Sequence, residues 1–414
     1  MTQFCEFKIE NIKNLSIEEK SFRKKNLDLF FQNGFPNKKN EDWKFTDLSS
    51  ILSNNFKYIS NKDFSLNDKK LKLIDEFEHN FIFLLDGNLK SNNFDYEDKS
   101  KISIKEYNYK GGIELNKITQ LALLNSALAT GGFSLEISKN YKLKKPLIIY
   151  NYFSKNLKES IINNKNSIIL NENSELTLIN YIENNSTDNF MMNTMENVNI
   201  KCNAILKNIF VNNFRNSGYF YKHIKSVLEK NSSYDNYILL TGLKFNKLDI
   251  EIDHAGEKSR SCILSALNLI NAEHQEIKTN INHNAPDCQS FQKIKKVLND
   301  RSKGVYQGKI FVKDIAQKTD AYQLSKALIL NDKAEFDAKP ELEIYADDVK
   351  CSHGSTSGSI DFDSIHYLKS RGIPEKEAFQ MVINGFLNEI LEKITDNNLK
   401  NFLLAKLKSQ INGY

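Results

Sequence analysis

The spacing of apolar and polar residues near the start of the chain predicts two helices. Ser16 and Glu19 form a capping box, in which each side chain binds the other residue's backbone amide, so a helix begins there and ends at Gly34. A second helix is expected to begin after Thr119, an N-cap residue, and to end at the Gly131-Gly132 pair.

From about Phe133 to Val349 the apolar period changes from that of a helix to two, which is the period of a β-strand. Leu176 and Leu178, for example, alternate with polar neighbours. Paired Asn-Gly or Asp-Gly hairpin turns are absent from this region, so a meander of hairpins is poorly supported. Asn-rich turns suit a β-solenoid, whose successive rungs can stack their amides. Without a clean repeat, the pattern alone leaves solenoid and sandwich open.

After Asp361 the helical period returns, with a short helix that stops at Gly372 and another that starts at Pro374. The second helix carries an apolar stripe that is wider than a surface helix usually needs. Its members are Phe379, Val382, Ile383, Phe386, Ile390 and Ile394. Two interpretations stay open: the stripe binds a partner, or it packs on the rest of the chain.

Composition excludes several classes of protein. The net charge of +5, from 57 basic and 52 acidic residues, is too small to indicate a surface that follows nucleic-acid phosphates. The strongest apolar run, at residues 81–85, has the length of a buried strand, so no membrane span is expected. The N-terminus lacks the features of a secretory signal, which predicts a cytoplasmic protein. The five cysteines, without a Cys-x-x-Cys pair, fit a reducing compartment; they are Cys5, Cys202, Cys262, Cys288 and Cys351.

Candidate chemistry centres on Cys351 and His353. On an extended strand both side chains project from one face, within reach of a single soft ion or of a partner's ligands. Two ligands do not make a site, however, and spacing alone favours a buried cysteine beside a hydrogen-bonded histidine. The following Gly354-Ser-Thr-Ser-Gly358 lacks the lysine of a phosphate loop and is interpreted as the turn from strand to helix.

The remaining candidates are interpreted as structural residues. His254, His274 and His283 lie within the β region without an evident ligand set. Trp43, the only tryptophan, is expected to be a packing anchor. The usual signatures of catalytic sites are missing.

Long motifs in the second half of the chain resemble the SufB/SufD family of iron–sulfur cluster assembly proteins, and its SufD branch in particular. The motifs are residues 304–310 (GVYQGKI), 317–323 (QKTDAYQ), 339–354 (KPELEIYADDVKCSHG) and 367–373 (YLKSRGI), together with residues 41–46 (EDWKFT). The SufB branch typically reads Cys-Glu-His-Glu-Ala-Thr where this chain has CSHGST, and has a cysteine in place of Leu368. Both differences favour SufD.

The resemblance implies a mainly β fold: a right-handed parallel β-helix core at residues 131–355, between an N-terminal helical or mixed unit at 1–130 and a C-terminal helical unit at 356–414. It further implies a heterodimer with SufB and a SufC ATPase docked on the C-terminal helices, where the stripe that includes Phe379 lies. The chain itself would then be a scaffold subunit without catalysis of its own. Homodimers in isolation stay open. His353 matches a histidine at the SufB interface, where a transient cluster would be shared with a SufB thiolate.

Several points stay open after the resemblance is taken into account. Cys351 is either a second ligand or a residue buried inside the rung. No cofactor is expected on the chain alone, and whether the assembled complex binds flavin is undecided. The alternative functions are a direct cluster scaffold of the SufB type and, more remotely, a β-helix polysaccharide lyase or hydrolase.

Overall fold

The structure is a computed structural model of the single chain. It describes residues 15–55, 73–107, 119–154, 159–184, 189–212 and 218–411, together with Ile9, Ile12 and Leu157. Cys5 lies outside these residues.

Strands dominate the described residues, and helices stand at both ends. The helices are α1 Ile17–Asn33, α2 Leu48–Asn55, α3 Gln120–Leu128, α4 Phe362–Ser370, α5 Glu375–Asn388 and α6 Asn397–Ile411. The first strands are β1 Asn80–Leu85, β2 Asn88–Asn93, β3 Ile102–Glu106, β4 Phe133–Ile137, β5 Leu147–Phe153, β6 Ser160–Leu170, β7 Glu175–Asn184, β8 Phe190–Ile200, β9 Ile205–Asn212 and β10 Tyr219–Leu228. They are followed by β11 Ser233–Leu239, β12 Phe245–His254, β13 Arg260–Leu269, β14 His274–His283, β15 Gln289–Leu298, β16 Lys303–Val312, β17 Asp320–Ile329, β18 Glu335–Ile344 and β19 Lys350–Ser359.

These strands form two sheets that coil into a parallel β-solenoid of about seven turns. Sheet A has the order β19-β17-β15-β13-β11-β9-β7-β5-β1-β2, and sheet B has the order β18-β16-β14-β12-β10-β8-β6-β4-β3. Each turn contributes one strand to each sheet, and from β5 onward successive strands of a sheet pair in parallel. The solenoid is thus the correct choice between the two architectures left open by the sequence, and the predicted absence of a hairpin meander is confirmed.

The corners explain the Asn-rich turns. Asn140, Asn173, Asn203 and Asn231 occupy equivalent corner positions with φ between 55° and 59°, a left-handed conformation that asparagine tolerates better than most residues. Their side chains form a ladder, in which the amide nitrogen of each donates to the amide oxygen of the one before at 2.8 to 3.1 Å. Stacked amides therefore tie one rung to the next, as the turn composition predicted.

The N-terminal unit packs on the outer face of sheet B. Trp43 is buried there, with its ring centroid 5.6 Å from that of Tyr221 and 6.5 Å from that of Phe245, which confirms the packing anchor. The capping box of Ser16 and Glu19 is present at the start of α1.

One N-terminal prediction needs correction. The helix α3 ends at Leu128 with Ala129 as its C-cap, so Gly131 and Gly132 are not its cap. A Cβ on Gly132 would lie 1.7 Å from the backbone oxygen of Lys165, which makes close backbone contact the reason for glycine at this position.

The domain boundaries also move. β1, predicted from its apolar run, pairs with β5, so sheet A includes residues well before position 131. At the other end β19 continues to Ser359, because all ten of its residues pair in register with β17. The segment from Gly354 to Gly358 is therefore strand, and its interpretation as a turn was wrong.

Across the described ranges, no helix is both long and apolar enough to span a membrane.

Candidate functional site: the open terminal rung

The last turn of the solenoid leaves both sheets with an unpaired edge. β18 ends sheet B and β19 ends sheet A, and within the described residues nothing pairs with their outer sides. Each of these edge strands is ten residues long. The peptide groups that point outward from such strands are free to bind another chain. Between Cys351 and Ser359 the β19 edge carries no lysine, arginine or carboxylate, which are the side chains that usually protect an edge.

Sheet register places the two candidate ligands. Cys351 pairs with Ala321 and His353 with Gln323. Because Ala321 and Gln323 are buried and alternate with less buried neighbours, they face the solenoid interior. Cys351 and His353 therefore continue inward-facing columns at the open end of the solenoid, on one face as their spacing predicted.

The two side chains differ in exposure. His353 is exposed because the described chain places no further rung above it. Cys351 is half-buried and packs against the apolar interior. Burial, and to a smaller extent the nearby Asp320 carboxylate, raise the pKa of the Cys351 thiol. Cys351 therefore lies partly inside the rung, whereas His353 is open to a partner.

A buried polar layer lies directly beneath His353. The Tyr306 hydroxyl lies 3.1 Å from the side-chain oxygen of Gln323 and 3.2 Å from that of Gln292, so it can donate to either. The Gln323 amide nitrogen donates to the backbone oxygen of Glu341 on β18, at 3.3 Å. This layer links the two sheets one rung below the open end. It also holds the side chain of Gln323, the register partner of His353.

Gly308 makes room for this layer. A Cβ at that position would lie 2.3 Å from the Tyr306 hydroxyl and 2.4 Å from the side-chain oxygen of Gln323. Both distances are shorter than real Cβ contacts, so one of the two side chains would have to move. Three residues of the long sequence motifs thus serve one structural purpose, which is to support the end of the solenoid.

The N-terminal motif reaches the same end of the molecule. Lys339 on β18 forms ion pairs with Glu41 of that motif and with Glu341. Asp42 binds Lys278 on β14 at 2.6 Å, and Thr46 donates to Glu276 at 2.6 Å. The motif at residues 41–46 and the motif at residues 339–354 are therefore in contact, although almost 300 residues separate them in the sequence.

The C-terminal helices pack on the outer face of sheet A. Ile383, Ile390 and Ile394, with Leu387 and Leu391, are buried against tyrosines and aliphatic residues of that sheet. Ile383 and Ile390 were candidates for a partner surface, and the structure corrects this, because their side chains are 0 % and 1 % exposed. The stripe is apolar as predicted, but Ile383, Ile390 and Ile394 cover the chain's own sheet.

The other three stripe residues are half-buried. Phe379 and Val382 pack with Ile360 and Ile365 in a small cluster between α4 and α5, and Phe386 lies at the edge of the contact with sheet A.

An exposed apolar groove lies between α4 and α5. The groove has a volume of about 490 Å³ and is lined by Asp361, Asp363, Ser364, Tyr367, Leu368, Met381 and Val382. Tyr367 is 58 % exposed and Met381 is 50 % exposed, and the neighbouring Phe362 is 64 % exposed. Tyr367 and Met381 were not among the surface residues predicted from the sequence, because Tyr367 lies on α4 and Met381 lies beside the apolar stripe of α5.

Comparison with known protein families shows which family the chain belongs to. The profile described as "SUF system FeS cluster assembly, SufBD core domain" matches residues 152–386, more than half of the chain. The chain belongs to the SufBD family. The profile of the SufBD N-terminal region matches residues 8–93.

Individual SufBD relatives match over most of their length. The iron–sulfur cluster assembly protein SufD of Escherichia coli is 27 % identical over 392 residues, which cover 94 % of this chain and 92 % of that protein. A SufBD family protein of Synechocystis is 25 % identical, with 87 % and 84 % covered. SufD of Bacillus subtilis is 24 % identical, with 74 % and 70 % covered.

The predicted family and its β-helix core with helical ends are confirmed, and this SufBD protein functions in iron–sulfur cluster assembly. The family match leaves the polysaccharide lyase alternative without support.

Proposed function

We propose that this SufBD protein is a SufD-type scaffold subunit that pairs with SufB through its open terminal rung and carries a SufC ATPase on its C-terminal helices. The observation that supports the proposal best is the unprotected edge strand β19, which ends sheet A next to the end strand β18 of sheet B. A partner strand that added to each sheet would satisfy the outward-facing peptide groups and cover the half-exposed end of the apolar interior.

In the proposed complex the iron–sulfur cluster is cargo, held for a short time at the interface. His353 lies on the open end and offers an imidazole, which is a borderline ligand for iron. SufB would supply the thiolate. Mixed imidazole and thiolate ligation across an interface suits a cluster that must later be released. Cys351, half-buried and packed against the apolar interior, fits the role of an interior residue better than that of a second ligand.

The groove between α4 and α5 is the proposed docking site for SufC. Its apolar centre at Tyr367 and Met381 and its acidic rim at Asp361 and Asp363 form the type of surface that binds a partner. This surface replaces the buried part of the stripe as the candidate contact.

A movement of SufC would be transmitted to the cluster site over a few residues of the chain. β19 ends at Ser359, α4 begins at Phe362, and the linking Ile360 is buried between α4 and α5. A displacement of α4 would therefore act directly on the edge strand that carries His353. We propose that ATP-driven SufC dimerisation opens the interface with SufB in this way.

Co-expression with SufB and SufC tests the assignment. We expect the three chains to co-elute on size-exclusion chromatography, and the complex to gain the absorption of an iron–sulfur cluster after anaerobic reconstitution. The chain alone should hold little cluster. If the isolated chain bound a full cluster and did not co-elute with SufB, the direct scaffold of the SufB type would be the better assignment.

A further inference from the structure

Three potential metal ligands lie together at one corner of the solenoid, away from the terminal rung. His254 ends β12 and His283 ends β14, and the two residues are register partners. Their rings stack with centroids 4.6 Å apart and planes 3° from parallel. Cys288 lies in the turn between β14 and β15. All three side chains are buried, and one donor atom of each lies within 4.8 Å of the others.

Serine hydroxyls hold both rings. Ser259 and Ser261 bind Nδ1 and Nε2 of His254 at 2.8 and 2.9 Å, and Ser290 binds Nε2 of His283 at 2.9 Å. The Nδ1 atom of His283 is buried without a hydrogen-bond partner. A buried polar atom left in this state costs about 1–3 kcal/mol, so its presence needs an explanation.

Successive rungs of the solenoid carry different side chains at the equivalent position of this corner. Ser259 follows His254 by five residues, and Cys288 follows His283 by the same five. One rung therefore pairs its histidine with a hydroxyl, and the next rung has a thiol at the same position. The Cys288 sulfur lies 3.4 Å from the Ser259 hydroxyl and 3.4 Å from the backbone oxygen of Gly256. A soft donor thus replaces a hard one on the rung whose ring nitrogen has no partner.

We propose that His254, His283 and Cys288 form a binding site for a borderline divalent metal ion such as zinc(II) or iron(II). Two imidazoles and one thiolate are a ligand set that such ions prefer, and three protein ligands leave a fourth position for water or for the Ser259 hydroxyl. Binding would release the Cys288 thiol proton to solvent and give His283 Nδ1 a partner.

The side chains have to rearrange before they can share one ion. The two ring planes are 3° from parallel, so at least one imidazole has to turn until both nitrogen lone pairs point at the same atom. Tetrahedral zinc with ordinary bond lengths places its nitrogen and sulfur donors about 3.3–3.6 Å apart, so the trio has to close by about 1 Å. The serine contacts at the far side of each ring resemble the outer hydrogen bonds that orient metal-binding histidines. The turn at residues 255–258 follows His254 directly, and its Ala255, Glu257 and Lys258 are exposed.

The test uses the full chain carrying Cys351→Ser and His353→Ala, so that the terminal rung contributes no ligand and the result is independent of the proposed function. After treatment with a chelator and reductant, this protein is titrated with zinc(II) against a chromogenic competitor, and with cobalt(II), whose visible spectrum reports thiolate coordination. We expect one ion per chain. Cys288→Ser should abolish the cobalt–thiolate absorption and weaken zinc binding at least about tenfold. The half-buried Cys262 is the matched control, and Cys262→Ser should change neither.

Two results would overturn the proposal: no zinc binding in the starting protein, or equal binding with Cys288→Ser. Either would show that the trio is only a packed corner ladder. Should Cys288→Ser fail to fold by circular dichroism, Ser290→Ala keeps all three ligands and removes the hydrogen bond to His283. It should weaken zinc binding about tenfold, and unchanged affinity would contradict the site.

Discussion

Gln323 and His353 are register partners on neighbouring strands of one sheet, yet the first is fully buried and the second is exposed. The difference arises because a further rung covers Gln323 and none in the described chain covers His353. The position of His353 at the end of an inward-facing column makes it the natural contact for a partner that continues the solenoid.

Replacement of His353 by alanine should lower the cluster content of the SufB-containing complex by at least about tenfold, because it removes a proposed ligand. The complex should still co-elute, since an exposed side chain contributes little to folding. Iron and sulfide content after anaerobic reconstitution measures the effect. Ser352→Ala, on the opposite face of the strand, is the control. Equal cluster content in both variants would remove His353 from the proposed site.

Introduction of a lysine at Ser357 should prevent pairing with SufB, because a charged side chain on an edge strand opposes the addition of another strand. The free energy of unfolding should change by less than about 0.5 kcal/mol, since the site is exposed. Co-purification with SufB is the measurement. Ser91→Lys, on the β2 strand at the opposite edge of sheet A, should bind normally. Loss of binding by both variants would point to a general charge effect and away from the β19 edge.

Replacement of Gly308 by alanine should destabilise the protein by about 1–3 kcal/mol, because the new methyl group overlaps the Tyr306 hydroxyl and the Gln323 oxygen. Chemical denaturation measures the change. Gly358→Ala, where a Cβ would meet nothing within 4 Å, is the control. Equal destabilisation of the Gly308→Ala and Gly358→Ala proteins would show that the overlap with Tyr306 and Gln323 is not the cause.

The buried Lys296 should make stability rise with pH. Burial lowers the pKa of its ammonium group from 10.5 to about 7, while its Nζ binds two backbone oxygens, those of Gln275 and Val305. Between pH 7 and 10.5 the unfolded chain therefore binds more protons than the folded one. The free energy of unfolding should rise across this window by at most about 1.4 kcal/mol per pH unit.

Denaturation at several pH values checks this expectation. Lys296→Met should flatten the rise between pH 7 and 10.5, and Lys333→Met, in an exposed turn, should keep it. An equal slope in the Lys296→Met protein would show that other groups cause the dependence.

Tyr367→Ala and Met381→Ala should weaken SufC binding while leaving the fold intact, since both side chains are at least half exposed. Ile383→Ala should instead lower the free energy of unfolding by about 2–5 kcal/mol, because it opens a cavity against sheet A. Affinity capture of SufC and thermal unfolding separate the two effects. Removal of residues 361–414 would be a poor test, because α5 and α6 cover an apolar face of that sheet. Normal SufC binding by both groove variants would exclude the groove.

The sequence by itself determined the local structure and the family. The capping box at Ser16, the period of two, the left-handed Asn corners and the motif around His353 depend on neighbours in the chain. Neighbouring residues restrict the backbone through short-range sterics and hydrogen bonds. The apolar run of β1 predicted a strand for the same reason, but the sequence did not predict that this strand pairs with β5 in sheet A.

Only the tertiary structure decided which side chains are buried and which residues meet. The stripe of α5 covers sheet A, the segment after Cys351 stays in register with β17 as a strand, and His254, His283 and Cys288 lie together at one corner. Each of these results depends on the number of residues in every turn of the solenoid, because that number sets the register between rungs. Register is a property of the whole coil, and the apolar pattern of any one segment does not contain it.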